Sequence, residues 1–435
     1  MSESEKSELQ KKEAAMREKI PEKEKILKYM TEESVVRLAE DLIKIPSPIE
    51  GESEVAKFLE KYMKQNGLET ELIEVEPGRL QPIGILKGTG GGYSVIFNGH
   101  IDTDVLLLGI KNPLEPRIEG RRLYGHGIFN MKSGVAAMVE AAVGIKKSQT
   151  TLKGDLIVTP VVGELQGGVG TVANISKGIR ADFGLVPEPY GECICLIHAG
   201  VLQIAITLKG RSTHVRNMEQ SINLSMKMVK VVDALNKIKF TYKPDPRLPG
   251  LPRLNVGSAV MGHGLSYDLK GANFVPDICT IMVDIRYLSG MNPYEEIKAV
   301  LDKIKAEDYE FNYEMEMSSE DLRRPRIPWI NRIGMPPQDL SPDELIVKVH
   351  AQNYEYLTGE IPPIGAVPLD NPYYDLMYAG DDDAHLTKAG TPSFCCGPKG
   401  KRELDGQQYT EIDSMVRVAR NFALTAYDIC TKSKK

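Results

Sequence analysis

The segment Tyr93-Ser-Val-Ile-Phe-Asn-Gly-His-Ile-Asp-Thr103 predicts the fold of this chain. Its first six residues form a short, nearly continuous apolar run after a glycine triplet, which is typical of a buried parallel strand. His100 and Asp102 follow at the carboxyl end of that strand, where open α/β sheets bind ligands. Both side chains point to one face of an extended chain, and a carboxylate beside a metal-binding histidine fixes its tautomer. By itself, however, a His-x-Asp sequence is more often a surface pair.

Helical and strand-like patterns alternate on both sides of this segment. Apolar residues recur with helical spacing over 34–43, 55–65 and 134–147, and apolar runs that fit buried strands cover 155–162 and 182–186. Helices that alternate with apolar strands indicate an α/β fold, in which helices cover both faces of a mostly parallel sheet.

The pattern changes after Gly200. A strand that alternates as if half-exposed, a helix, two strands, a helix and a further strand follow in that order. These segments are 201–208, 220–238, 255–261, 278–287, 293–306 and 309–317. The order β-α-β-β-α-β is that of the ferredoxin-like motif. Because α/β patterning resumes with a helix over 342–356, the motif is predicted to be an insert.

The length of the chain, 435 residues, exceeds what one hydrophobic core usually serves. We therefore predict a discontinuous catalytic domain over 31–200 and 319–435, with a lid and dimerisation domain inserted over 201–318. Residues 1–30 are predicted to be a charged arm, in the form of a solvated helix or a loose segment. The arm is rich in Lys, Glu and Ser without an apolar core, so it is not expected to be a signal peptide.

The composition narrows the class of partner. The formal net charge is −6, and no basic stripe is available to neutralise phosphates, so we expect no nucleic-acid partner. No stretch approaches about 20 apolar residues, so we expect no membrane span. The six cysteines lack Cys-x-x-Cys spacing and are predicted to be reduced and mostly buried, which favours a cytoplasmic protein.

Three further motifs place polar residues where strands end. Leu123-Tyr-Gly-His-Gly-Ile-Phe-Asn-Met-Lys-Ser-Gly134 enters a helix, Val162-Gly-Glu-Leu-Gln-Gly-Gly168 follows a strand, and Val186-Pro-Glu-Pro189 follows another. Glu164, at the close of an apolar strand, is costly to bury without a partner or a role.

In this order, the four motifs resemble those of the two-metal peptidase family that contains aminoacylase, acetylornithine deacetylase, succinyl-diaminopimelate desuccinylase and carboxypeptidase G. The resemblance runs from about Glu33 to Asp413, with the insert in the expected place. It implies a zinc-peptidase-like catalytic domain, a ferredoxin-like lid and a metal-dependent hydrolase activity.

Carried onto this chain, the resemblance implies that His100 and Glu188 are metal ligands, that Glu164 is the general base and that Asp102 is the catalytic carboxylate beside His100. Three positions depart from the family's pattern. Asn130 stands where the bridging aspartate is expected, Leu165 at the second metal glutamate and Leu404 at the C-terminal histidine.

The departures change the expected metal content. In the family, three carboxylates face two dications; here Glu188 alone faces one dication, which leaves the same excess positive charge. We therefore expect one divalent ion, manganese, zinc or cobalt, held weakly by His100, Glu188 and the Asn130 amide oxygen. Water, substrate, His126 or the segment Asp381-Asp-Asp-Ala-His385 are the candidates for additional ligands.

The resemblance also assigns substrate contacts. Lys209-Gly-Arg-Ser-Thr-His214 resembles the lid motif whose histidine reaches into the partner subunit's site, where His214 would stabilise an oxyanion. This implies a homodimer or a higher homo-oligomer.

Four more residues complete the predicted substrate site. Asn273 and Arg286 match substrate-contacting positions of the family, and the planar Arg286 side chain suits a substrate carboxylate. An ion pair with Asp284 is the alternative for Arg286. Asp383 matches a position beside the site, and His385 replaces a usual arginine.

Three functions remain open from the sequence. The first is amide hydrolysis of an N-acyl amino acid or small peptide. The second is deamination of an electron-poor aromatic amino acid, as in the 5-nitroanthranilate aminohydrolase branch of the same family. The third is a pseudoenzyme that binds without turnover, which Leu165 and Leu404 favour, although Glu164, His214 and Arg286 still form a working set.

Overall fold

A computed structural model describes residues 20–106, 109–316, 334–368, 370–372 and 378–434. Residues 1–19 of the predicted arm and residues 319–333 of the predicted catalytic domain lie outside this description. Residues 20–27 are helical, and Ile26 and Met30 are fully buried in the main core. The described end of the arm is therefore packed rather than solvated, because its few apolar side chains face the domain.

The catalytic part is an α/β structure, as predicted. Its helices are α1 (Glu32–Lys44), α2 (Ser53–Gln65), α3 (Ser133–Lys147), α4 (Val169–Ser176), α7 (Leu345–Thr358), α8 (Asp382–Lys388) and α9 (Ile412–Cys430). The strands of its main sheet are β1 (Glu69–Glu76), β2 (Arg79–Leu86), β3 (Val95–His100), β6 (Leu156–Val161), β7 (Phe183–Val186), β8 (Ile194–Cys195), β15 (Ile364–Gly365) and β16 (Ser393–Cys395). Smaller strands are β4 (Arg117–Glu119), β5 (Arg122–Tyr124), β9 (Ile197–His198), β14 (Gln338–Asp339), β17 (Gly400–Arg402) and β18 (Gln408–Glu411).

The main sheet places the carboxyl ends of its central strands side by side. Its order is β1-β2-β6-β3-β7-β16-β8-β15, and the four central strands, β6, β3, β7 and β16, are mutually parallel. Antiparallel pairings occur towards the edges. Every residue of β3 and β6 is buried, because helices cover both faces of the sheet.

The insert has the predicted order of elements. It consists of β10 (Gly200–Lys209), α5 (Leu224–Asn236), β11 (Arg253–Gly262), β12 (Ile278–Tyr287), α6 (Pro293–Glu307) and β13 (Tyr313–Glu316). These strands form an antiparallel sheet of order β11-β12-β10-β13 with its own hydrophobic core. The domain limits that we predicted from the sequence stay predictions.

The exposure of β10 differs from the alternating pattern that the sequence indicates. Eight of its ten residues are buried, because the strand is central and pairs with both β12 and β13. Alternation of apolar and polar residues along a strand reflects only the exposure of its two faces. In β10 the neighbouring elements cover the edges as well as the faces.

One helical stretch bears on the prediction that the chain has no membrane span. Ile128–Lys147 has the length and the mean hydropathy of a helix that could cross a membrane, but 94% of the apolar window is buried inside the protein. It is a core helix of the catalytic part. All six cysteines are buried without a disulfide, as the sequence predicts.

Lys132 is a buried side chain that joins the start of this stretch to α1. Its Nζ donates hydrogen bonds to the carbonyl oxygens of Leu42 (2.8 Å) and Ile45 (2.7 Å) at the end of α1. Burial lowers the pKa of the Lys132 ammonium to about 7 from its usual 10.5. The side chain therefore loses its proton in the folded state at a pH where the unfolded chain still holds it.

This difference predicts a pH dependence of stability. From about pH 7 upward the unfolded chain binds one more proton than the folded one at this residue, so the free energy of unfolding should rise with pH by about 1.4 kcal/mol per unit. The rise should continue until the usual lysine pKa is approached. Lys132→Met should remove this contribution and also lower stability, because two carbonyl groups lose their donor. Urea unfolding, followed by far-UV circular dichroism between about pH 7 and 9, measures how the free energy of unfolding of the wild type and of Lys132→Met changes with pH. An equal pH dependence in the two proteins would contradict a neutral Lys132.

Candidate active site

Three strand ends bring His100, Glu164 and Glu188 together. His100 ends β3, Glu164 follows β6 after a turn, and Glu188 follows β7, and these strands are parallel neighbours. The turn at Gly163 has a φ of +68°, a conformation that glycine adopts without strain. Glu164 Oε2 lies 3.9 Å and Glu188 Oε1 lies 3.4 Å from His100 Nε2. All three side chains are buried.

In its neutral form, the His100 ring directs the lone pair of Nε2 at oxygen atoms. Nδ1 lies 2.9 Å from the backbone carbonyl oxygen of Asp102. A carbonyl oxygen accepts a hydrogen bond only from a nitrogen that carries a proton, so Nδ1 is protonated. Nε2 faces the Asn130 Oδ1 atom at 2.8 Å. This is the tautomer in which histidine binds metals through Nε2 while Nδ1–H is held by a carbonyl.

Asp102 links the motif that contains His100 to the motif that contains Glu164. Its carboxylate accepts hydrogen bonds from the backbone N–H groups of Glu164 (3.2 Å) and Leu165 (3.0 Å), and its Oδ1 lies 3.5 Å from His100 Nδ1. Burial opposes its ionisation, but His100 and these donors hold the pKa of Asp102 below its usual value. Asp102 therefore positions His100 and the Glu164 backbone with one charged group.

The pKa values of the site report crowded negative charge. Burial raises the pKa of Glu188 to about 8, and it raises the pKa of Glu164 well above its usual value, against the attraction of His100. Burial disfavours the charged form of His100, but Asp102, Glu188 and Glu164 together hold its pKa well above the usual value. Ligand atoms of His100, Glu164 and Glu188 converge within 4.8 Å of one another, and such a set of oxygen and imidazole donors fits a divalent transition ion.

A second buried group of similar chemistry lies nearby. His198, Asp381 and Asp383 each offer a ligand atom, all within 4.8 Å of one another. Sequence reasoning named the segment around Asp383 but missed His198. The signal available was a histidine inside the apolar run 194–201, where a buried imidazole needs a partner.

The structure shows the contacts or exposure of three further residues that the sequence singled out. His126 Nε2 contacts the Asp104 carbonyl oxygen at 3.0 Å, and burial and Lys132 lower its pKa to about 4. His385 Nε2 lies 2.9 Å from the carbonyl oxygen of Gly167. Leu404 is fully exposed, in the turn between β17 and β18, so its side chain does not face the buried cluster.

The lid residues form a separate set. His214 Nδ1 accepts a hydrogen bond from the Arg216 backbone, and its ring packs edge-on against Phe274, next to Asn273. Arg286 donates to both carboxylate oxygens of Asp284, at 2.7 and 3.1 Å. This is the ion pair that the sequence left as the alternative to a substrate clamp. Among the described residues, no hydrogen bond or ion pair joins His214, Asn273 or Arg286 to the His100 cluster.

Residues 96–427 match the model of the family described as peptidase family M20/M25/M40. The chain belongs to this family. An M20 assignment agrees with the resemblance drawn from the four motifs.

Curated relatives share part of this chain. The N-formyl-4-amino-5-aminomethyl-2-methylpyrimidine deformylase of Bacillus subtilis is 27% identical over 275 residues, which cover 59% of this chain and 63% of that protein. The succinyl-diaminopimelate desuccinylase of Pelagibacter ubique is 24% identical, over 66% of this chain and 77% of its own. The match thus spans less than two thirds of the deformylase's length.

Solved structures extend the fold similarity to nearly the whole chain. A tripeptidase of Staphylococcus aureus superimposes with a TM-score of 0.68 at 17% identity, covering 92% of this chain and 99% of that protein. The dipeptidase Dug1p of Saccharomyces cerevisiae gives a TM-score of 0.68 at 12% identity, with coverages of 95% and 99%. At these identities the likeness concerns the fold alone.

The position of Asp102 predicts the effect of its substitution. In Asp102→Asn one acceptor oxygen becomes an amide donor, so one of the N–H groups of Glu164 and Leu165 loses its partner and His100 loses its charged neighbour. We expect the affinity for Mn²⁺ or Zn²⁺ to fall by about 10- to 100-fold, as is usual when a group supporting a ligand is removed. Isothermal titration calorimetry of metal-free protein measures the change.

Asp155→Asn is the matched control, because Asp155 also accepts from a backbone N–H, that of Gly88, and lies on the surface near Lys87. Its metal affinity should equal that of the wild type. Equal affinities in all three proteins would show that Asp102 does not support the ligand.

Proposed function

We propose that this M20 chain is a metal-dependent hydrolase that cleaves a C–N bond in a small, carboxylate-bearing substrate such as an N-acyl amino acid. The observation that carries the proposal is the buried convergence of His100 Nε2, Glu188 and Glu164 at three adjacent strand ends. We also propose a cytoplasmic location, which rests on the sequence alone.

The metal in this proposal is one divalent transition ion, manganese, zinc or cobalt, weakly held by His100, Glu188 and Asn130. An ion bound there would lower the pKa of a bound water molecule and stabilise developing negative charge. Its ligands come from one imidazole, one carboxylate and one neutral amide, which is a less anionic set than a bridging aspartate would provide.

Glu164 is proposed as the general base. Its carboxylate is buried and lies 3.9 Å from His100 Nε2, on a turn separate from the strand that ends at His100. From this position it would take a proton from water and return it to the leaving nitrogen. Burial, together with the nearby carboxylates of Glu188, Asp382 and Asp381, raises the pKa of Glu164, which suits a base that works near neutral pH.

The lid supplies the proposed substrate contacts. His214 would stabilise an oxyanion in the site of a second copy of the chain, and Asn273 and Arg286 would bind the substrate. In the single chain Arg286 is held by Asp284, so binding of a substrate carboxylate would exchange one anionic partner for another. We propose a homodimer or a higher homo-oligomer on this basis. Asp383 and His385, also predicted as substrate contacts, lie against His198 and Gly167 in this structure.

The names of the curated relatives support the same class of reaction. One is a deformylase and another a desuccinylase, and a small acyl group attached to nitrogen is the substrate feature that we transfer to this chain as a proposal.

Glu164→Gln tests the role of the base. The amide cannot take a proton from water, so turnover should fall by at least about 100-fold while the fold and the bound metal are retained. The assay incubates metal-loaded protein with a panel of N-acyl amino acids and with 5-nitroanthranilate. It measures free acid, free amine and ammonia.

Glu140→Gln is the matched control, since Glu140 is equally buried but accepts a hydrogen bond from Tyr62 away from the cluster. It should retain turnover. Acid and amine release by the wild type supports amide hydrolysis, ammonia release indicates the aminohydrolase, and binding without any product indicates the pseudoenzyme. Full activity in Glu164→Gln would overturn its assignment.

Hybrid oligomers test whether His214 acts in the site of another copy. His214→Ala and Glu164→Gln should each be inactive alone. In a hybrid dimer, one site combines Glu164 from the first variant with His214 from the second and is therefore intact. Mixing equal amounts under conditions of subunit exchange should thus restore about a quarter of wild-type activity, if subunits pair at random. No recovery, with exchange verified by mass spectrometry, would place the action of His214 within its own chain.

A further inference from the structure

A second buried cluster of ligand atoms, formed by His198, Asp381 and Asp383, is not used by the mechanism above. His198 ends the short strand β9, and the two aspartates lie at the start of α8. His198 Nε2 lies 2.8 Å from Asp383 Oδ1 and 3.9 Å from Asp381 Oδ2. All three side chains are buried, and His198 and Asp383 have no exposed surface.

The His198 ring is oriented as a metal ligand would be. Its Nδ1 lies 2.9 Å from the backbone carbonyl oxygen of Ala199, so this nitrogen carries a proton. In the neutral ring Nε2 then holds a lone pair directed at Asp383 Oδ1. Two acceptors at 2.8 Å repel each other unless a proton or a cation lies between them. His100 has the same arrangement, with the Asp102 carbonyl oxygen at Nδ1 and oxygen atoms at Nε2.

The carboxylates of the cluster are incompletely partnered. Asp381 accepts a hydrogen bond from the Tyr190 hydroxyl group. Asp383 Oδ2 is buried and has no hydrogen-bond partner among the described residues, and the same holds for Oδ1 of the adjacent Asp382. A buried carboxylate oxygen without a donor costs free energy, so its environment calls for a positive charge.

A charged His198 does not supply enough positive charge for the two aspartates. One imidazolium balances one carboxylate, and Asp381 and Asp383 then still carry one negative charge between them. Glu188, Asp381, Asp382 and Asp383 also interact electrostatically in this buried region, so the surplus is not relieved by the first cluster. A divalent cation would neutralise the two aspartates and give Asp383 Oδ2 a partner.

We propose that His198, Asp381 and Asp383 bind a second divalent transition ion, separate from the ion held by His100 and Glu188. Imidazole and carboxylate donors suit Mn²⁺ or Zn²⁺. Donor atoms about 2.1 Å from one ion lie about 3.0 to 3.4 Å apart, which is close to the separations of 2.8 and 3.9 Å found here. The inference goes beyond the proposed function, because it concerns metal content and does not depend on turnover.

The site differs from the one whose ligands this chain lacks. At the second metal position of the family, Leu165 and Leu404 offer no donor atom, and Leu404 lies on the surface. The proposed ion would instead sit between β9 and the start of α8 and share the electrostatic field of Glu188.

Counting bound metal tests the inference. Metal-free full-length protein is dialysed to equilibrium against Mn²⁺ and, separately, Zn²⁺, and bound metal is measured by elemental analysis. We expect two ions per chain in the wild type, one in Asp383→Asn, one in His198→Gln and one in His100→Gln. The double variant His100→Gln/Asp383→Asn should bind none. Far-UV circular dichroism verifies that each variant is folded, and either single substitution at the second site suffices if the other does not fold.

His350→Gln is the matched control, because His350 is equally buried but contacts Thr425 and Asn421 rather than carboxylates. It should bind two ions. One ion in the wild type that Asp383→Asn retains would overturn the inference and leave a charged His198–Asp383 pair. Loss of all metal in both Asp383→Asn and His100→Gln would overturn it equally, since it would mean one shared ion. Neither result depends on catalysis, so the activity of Glu164 is judged independently.

Discussion

The Asp102 carboxylate connects the ends of two neighbouring strands, and the site depends on that connection. With two oxygen atoms it accepts the backbone N–H groups of Glu164 and Leu165, while it lies beside the proton-bearing nitrogen of His100. The interaction fixes where the Glu164 turn leaves β6 and which tautomer His100 adopts. A buried anion with backbone donors on one side and an imidazole on the other is stabilised in this arrangement, so His100 and the Glu164 backbone are positioned together.

Buried negative charge is the second physical theme of the molecule. The sequence-based charge balance set Glu188 alone against a single dication. The structure adds Asp381, Asp382 and Asp383 to the same buried region, which also contains the imidazoles of His100, His198 and His385. That balance did not count these carboxylates, although the resemblance placed Asp383 beside the site, because only the folded structure shows that all three are buried there. The proposed second ion follows from this enlarged set of charges.

The fold was largely predictable because its signals are local. The helical periodicities over 34–43, 55–65 and 134–147 and the apolar run over 93–98 correspond to elements whose ends differ by at most two residues. The predictions failed where burial depends on distant partners. β10 is buried rather than half-exposed because it is central in its sheet, and residues 20–30 pack because Ile26 and Met30 meet the main core.

The sequence by itself determined the architecture and the presence of His100, Glu164 and Glu188 at strand ends, since strand direction places the carboxyl ends of parallel neighbours at one edge of a sheet. It also identified the positions where Asn130 and Leu165 replace acidic ligands. Only the tertiary structure decided that Arg286 rests on Asp284, that Leu404 faces outward, and that His198 meets Asp381 and Asp383. The physical reason is that hydrogen-bond partners and burial are properties of contacts between segments far apart in sequence, whereas periodicity and strand ends are properties of single segments.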